Sequence, residues 1–171
     1  MATAVAAMVV AGAAGAVAAE PKGCRTVEGK PRFVVDGAVA RDPASGLDWM
    51  RCSLGSRWTG TACEGEAQTY TLDEAEAAVK ALGDGWRLPD VKELYDLLDD
   101  DCGKPPADVT AFPDVRESDL EGAGAWTSSP VGLAELWFYV DLGSGVADGH
   151  SRGFKISVRP VRTTRPVRPG R

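Results

Sequence analysis

A chain of 171 residues with a formal net charge of −6 allows one domain of ordinary size. The charge is unevenly placed: residues 20–158 hold 14 basic and all 25 acidic side chains, a net of −11, while Arg159, Arg162, Arg165, Arg168 and Arg171 follow with no acid among them. So acidic a body argues against a nucleic-acid face on the domain itself.

Residues 1–19 carry no charge and are mostly Ala, Val, Gly and Met. They predict a signal peptide, with Ala16, Ala18 and Ala19 placed for cleavage near Glu20, although no Lys or Arg precedes the apolar run. A membrane anchor is the rival reading, weakened by the low hydrophobicity of Ala and Gly and by a positive flank limited to Lys22. The expectation is an exported protein, periplasmic or extracellular, with no membrane span in the mature chain. Residues 20–31 then form an entry segment, 32–162 the domain, and 163–171 a tail rich in Arg and Pro.

Four cysteines, Cys24, Cys52, Cys63 and Cys102, form an even set in an exported context and permit three disulfide pairings. Cys52 and Cys63 bracket a loop rich in Gly and Thr, and joining them stabilises by about 3 kcal/mol in the chain-entropy model. That leaves Cys24 with Cys102, a pairing the sequence leaves open. Zinc does not fit, since no Cys-x-x-Cys occurs and His150 is the single histidine.

In chain order, Asp36-Gly37 between apolar runs predicts a tight hairpin. Pro43-Ala44-Ser45-Gly46 turns into a strand over 47–51, with Leu47, Trp49 and Arg51 on one face. Thr71-Leu72-Asp73-Glu74 is a capping box, followed by Ala75, Ala78, Val79 and Leu82 at helical spacing and by Gly83 as a stop. Asp90-Val91-Lys92-Glu93 is a second box, with Val91, Leu94, Leu97 and Leu98 as its apolar stripe. Asp99-Asp100-Asp101 at the end of that helix opposes its dipole. Residues 103–130 read as loop. A strand over 136–142 alternates Leu136, Phe138, Val140 and Leu142 with Trp137, Tyr139 and Asp141, and Gly143-Ser144-Gly145 turns it toward a final strand over 155–161.

The ordered blocks Ser45-Gly46-Leu47-Asp48-Trp49-Met50-Arg51-Cys52, Gly85-Trp86-Arg87-Leu88-Pro89-Asp90-Val91-Lys92-Glu93-Leu94, Phe112-Pro113, Trp126-Thr127-Ser128-Ser129 and Val158-Arg159-Pro160-Val161-Arg162 carry a resemblance. They are similar to a bacterial family catalogued as a domain of unknown function, which also forms the C-terminal domain of a collagen-like adhesin. The resemblance spans about residues 30–162. It implies an α+β, C-type-lectin-like fold with small antiparallel sheets, two helices and long loops, in the branch that includes formylglycine-generating enzymes. The termini of such folds pair in one sheet, and the long loops and last strands present the binding surface. Many members have Cys where this chain has Pro160, so of the family's disulfide pattern only Cys52–Cys63 carries over.

On this reading the ligand-binding residues are Trp137, Tyr139, Asp148, His150 and Arg152, on a partly exposed aromatic platform that takes a glycan or another surface macromolecule. Loops between Cys102 and Trp126 complete the surface. Trp49, Trp86 and Trp126 are expected in the core, Trp58 outside it, and Arg87 in a structural ion pair. Asp141 and Asp148 flank a hairpin turn; calcium is their secondary reading, because its six to eight oxygen ligands are not supplied by any repeated Asp pattern. No cofactor or metal is expected. A Ser-His-Asp set would need His150 beside Ser128 or Ser129, which form no nucleophile elbow. The thiol chemistry of formylglycine-generating enzymes needs cysteines that disulfides here would consume. Recognition without turnover is therefore expected, with a purely structural domain or, less readily, a formylglycine-generating type of enzyme as alternatives. Five arginines at every third position would align on one side of an extended polyproline helix, a candidate polyanion arm beside the plainer reading of a solvated tail.

Overall fold

The computed structural model describes residues 24, 26–27, 29–117, 124–132 and 135–164. The predicted signal segment and the tail arginines 165, 168 and 171 lie outside the described residues. The elements run β1 (Thr26–Val27), β2 (Lys30–Pro31), β3 (Val34–Asp36), β4 (Val39–Asp42), β5 (Leu47–Met50), β6 (Arg57–Trp58), β7 (Cys63–Glu64), α1 (Leu72–Ala81), α2 (Val91–Tyr95), β8 (Gly124–Pro130), β9 (Leu136–Asp141), β10 (Ala147–Ser151) and β11 (Val161–Thr163). All strand ladders are antiparallel. This is the expected α+β class, with small antiparallel sheets and two helices.

The four-stranded sheet has the order β11-β5-β4-β3, so the chain's last strand closes on its first meander. Between β3 and β4 the turn residues are Gly37-Ala38, one position later than expected, because Asp36 already pairs with Val39. Only Gly37, at φ 55°, takes the left-handed conformation, which is what a turn of the Gly-first type requires. β11 extends past residue 162: Thr163 pairs with Leu47, and Thr164 donates its N–H to Gly46 and its hydroxyl to Asp48.

The second sheet, β10-β9-β8, separates two apolar clusters. Successive strand residues face opposite ways. Ala125 of β8 and Val140 of β9 accordingly join Phe33, Trp49, Phe112 and Leu94 in one cluster, while Trp126 joins Leu72, Ala75, Val79 and Val158 in the other. Trp49 and Trp126 are buried as expected, and the Trp126 indole donates to the Tyr70 carbonyl at 2.7 Å. β8 falls where loop was expected. Its Gly, Ser and Pro content is a weak strand signal, and tertiary pairing with β9 together with the buried Trp126 overrides it.

Both capping boxes form, with Thr71 and Glu74 on α1 and Asp90 and Glu93 on α2. α1 buries Leu72, Ala75 and Val79; Leu82 is exposed instead, since it is the C-cap and Gly83, at φ 66°, turns the chain away. α2 stops at Tyr95, and Leu97 reaches the core through a tighter turn, its N–H bonded to the Leu94 carbonyl. The acidic run therefore lies beyond α2 and does not oppose its dipole. Asp99 instead caps the 3-10 turn Asp100–Cys102 by accepting from the Asp101 N–H at 3.1 Å. The expected strand over 155–161 is reduced to single bridges at Ile156 and Ser157 before β11, as Pro160 has no N–H to give a ladder.

Both disulfides form, Cys24–Cys102 and Cys52–Cys63, and no cysteine is free. Trp58, expected outside, is half-buried beneath the Arg51 guanidinium, 3.7 Å from its ring centroid. Arg51 in turn donates to the carbonyls of Gly37, Thr110 and Ala111, tying the first hairpin to the segment before Phe112.

Candidate functional site

The β9–β10 ladder pairs Tyr139 with Asp148 and Trp137 with His150. Directly paired residues share a face, so all four side chains emerge on one side of the sheet. It is the side on which Trp126, paired with Tyr139, is sealed under α1. Trp137 and Tyr139 pack on the rim of that second cluster and are half-buried. The aromatic face is thus the open margin of a core, rigid because its inner half is packed.

Arg152 joins this face from the end of β10. Its guanidinium lies 4.6 Å from the Trp137 ring centroid and is held by the Asp73 carboxylate, with Glu76 at 4.0 Å. The Leu72 N–H donates to the Arg152 carbonyl at 2.9 Å, fixing the first turn of α1 to the same segment. The structure thereby brings together all five residues read from the sequence: Trp137, Tyr139, Asp148, His150 and Arg152.

Phe154 completes the face and was missed in the sequence. It lies past the ladder, where the Phe154 N–H bonds to the Ser151 carbonyl and folds the ring back onto His150. The two rings stack at 3.8 Å with 2° between their planes, and His150 is 5.6 Å from Tyr139. Gly153, two residues after Ser151 ends the ladder, was the available signal for a turn that returns the next aromatic. Thr69, Tyr139, His150, Phe154, Lys155 and Ser157 border a cleft of about 160 Å³. Gly124 forms its floor, where an added Cβ would stand 3.0 Å from the Tyr139 ring.

Carboxylates surround the basic groups of this face. Lys155 is 3.8 Å from Glu74, and Glu74 also accepts from the Thr71 N–H as part of the capping box. That backbone hydrogen bond holds the Glu74 carboxyl below its ordinary range. Asp148 is exposed at the margin and accepts from the Gly149 N–H at 2.7 Å.

The loops after Cys102 border a different cleft, of about 580 Å³, between Tyr95, Lys104, Pro106, Glu117 and the Gly143–Gly145 turn. Asp141 supports that turn by accepting from the N–H groups of Gly143 and Ser144. Among the described residues no group of three His, Cys, Asp or Glu side chains is gathered as a metal site would require. A third groove, of about 560 Å³, runs between Val79, Gly83 and Trp86. Trp86 is half-buried under Arg162 at 4.4 Å, and Arg87 makes the expected structural pair, bidentate to Glu93 at 2.6 and 2.7 Å.

Two closed disulfides and a small α+β core edged by an aromatic face define a stapled domain of the kind found in oxidising compartments. The chain belongs to the Lcl C-terminal domain family, whose model matches residues 38–162. No curated protein and no solved structure matches it. Every residue of the aromatic face lies inside the matched span, and Cys24 lies before it. No helix among the described residues is long and apolar enough to cross a membrane.

Proposed function

We propose that this protein is an exported recognition module that holds a glycan or another surface macromolecule, without turnover, on the β9–β10 face. The observation that carries the reading is the stack of Tyr139, His150 and Phe154 beside the Arg152–Trp137 pair. A sugar ring offers an apolar C–H face and a rim of hydroxyls. Flat rings on a rigid base, bordered by Thr69, Ser157 and charged groups, match both at small conformational cost. The C-type-lectin-like expectation supports the same surface, since the last strands present the ligand in such folds. Closure of all four cysteines supports binding over a formylglycine-generating type of chemistry, which draws on a thiolate.

Glycan-array binding of the purified protein tests this reading. Saturable binding that Tyr139→Ala and His150→Ala both weaken is the expected result. Oxidation of a peptidyl cysteine substrate would place the protein among the enzymes instead, and a binding-silent array would leave a structural domain.

A further inference from the structure

We infer that the β9–β10 face selects uncharged sugars and rejects sulfated or carboxylated ones, with Asp73 and Glu76 of α1 as its specificity-determining residues. The inference rests on the recognition reading above and names its ligand class. Arg152 stands at the aromatic face, 4.6 Å from the Trp137 ring centroid, and in isolation it would attract an anion. Here its charge is already met on one edge: the guanidinium lies against Trp137, and its Nη2 faces Asp73 and Glu76. The other cation, Lys155, stands against Glu74. Two cations thus meet three α1 carboxylates, and Asp148, paired across the ladder with Tyr139, adds a fourth acid at the margin.

The physical consequence is a local field of negative sign over rings that are otherwise well suited to a sugar. A sulfate brought to this face meets more carboxylates than cations, and the Arg152 guanidinium that could take it already shares its Nη2 with Asp73 and Glu76. An uncharged ring loses nothing to that field and keeps its stacking contact with the aromatics. Rejection by placed like charge is a common way to discriminate ligands that share a backbone. The acids are also placed to be selective in effect: Asp73 and Glu76 are 72 % and 52 % exposed, so they do little for stability as surface pairs. Their position on the first turns of α1, locked to the site by the Leu72–Arg152 backbone bond, gives them a fixed relation to the ligand surface.

The test uses the full chain carrying Arg165→Gln, Arg168→Gln and Arg171→Gln, so that the basic tail does not report on sulfate. It is probed on an array that pairs glucose-, galactose-, mannose- and N-acetylhexosamine-terminated oligosaccharides with their sulfated counterparts. Binding confined to uncharged members is the expected result. Adding Asp73→Asn and Glu76→Gln should then raise the ratio of sulfated to uncharged binding about tenfold, an effect that shrinks as salt is raised. Both residues are exposed, and a melting temperature within a few degrees of the parent confirms the fold. Stronger binding of sulfated members by the parent overturns the inference while leaving recognition intact. An unchanged ratio in the double variant overturns the role of Asp73 and Glu76. Silence of the parent on every member overturns the recognition reading itself, and this inference with it.

Discussion

Arg159 and Asp114 form a buried ion pair that joins the approach to the last strand to the segment after Phe112. Arg159 is 2 % exposed and donates from Nη2 to Asp114 at 2.6 Å, while its Nη1 donates to the Met50 and Arg51 carbonyls. Asp114 also accepts from the Ser53 N–H at 2.6 Å, so one pair ties together the end of β5, the first disulfide's flank and the final segment. Removing either partner strands the other. Asp114→Ala should lower stability by about 3 kcal/mol, read as a fall in the urea midpoint with an unchanged slope.

The same pair sets an acid limit. Burial on its own would raise the Asp114 carboxyl, but the charge of Arg159 and the Ser53 N–H outweigh it and hold the group below its ordinary range. Asp42, held by Arg32, and Asp48, held by Arg41, Thr164 and Arg162, are lowered against burial in the same way. A carboxyl lowered in the folded state gives stability that is complete above its unfolded value, about 3.9, and is lost as pH falls through the folded value. The melting temperature should therefore be flat near neutrality and drop below about pH 4, with a shallower drop in Asp114→Asn.

Closing Cys52 to Cys63 restrains a loop whose ends are 11 residues apart, and the ribbon β6–β7 within it has few partners of its own. The Cys52→Ser, Cys63→Ser double variant should lose about 3 kcal/mol by chemical denaturation. Non-reducing peptide mapping of the exported protein should recover this link and Cys24–Cys102, with no free thiol.

Ordered pairing through Thr164 leaves three arginines beyond it as the candidate polyanion arm, because Arg159 and Arg162 are consumed inside the domain. Arg165→Gln, Arg168→Gln and Arg171→Gln together should weaken heparin retention and flatten its salt dependence. Retention that is unchanged would assign heparin binding to the domain.

Local chemistry made some of this architecture readable and hid the rest. The two capping boxes are complete within four residues each, so Thr71, Glu74, Asp90 and Glu93 announced both helices. The Cys52–Cys63 link was readable because its loop is short and poor in core residues. β8 was not, since Gly124, Ser128, Ser129 and Pro130 are weak strand formers and only the distant partner β9 makes them one. For the candidate site, period-two alternation placed Trp137 and Tyr139 on one face, and the register of β10 added Asp148 and His150. Phe154 was hidden because a turn, not a ladder, returns it to His150. The α1 acids were hidden for a similar reason: nothing near Asp73 in the chain shows that Arg152 is its partner.

The most direct test of the account is a titration of the intact protein, with Tyr139→Ala, His150→Ala and a control Tyr95→Ala in the cleft beside Gly143–Gly145, against the oligosaccharide that binds best on the array. The account predicts at least about a tenfold loss of affinity for the first two, the scale of one aromatic contact, and little change for Tyr95→Ala. Unchanged affinity in Tyr139→Ala and His150→Ala with the fold intact, or a loss confined to Tyr95→Ala, would contradict it.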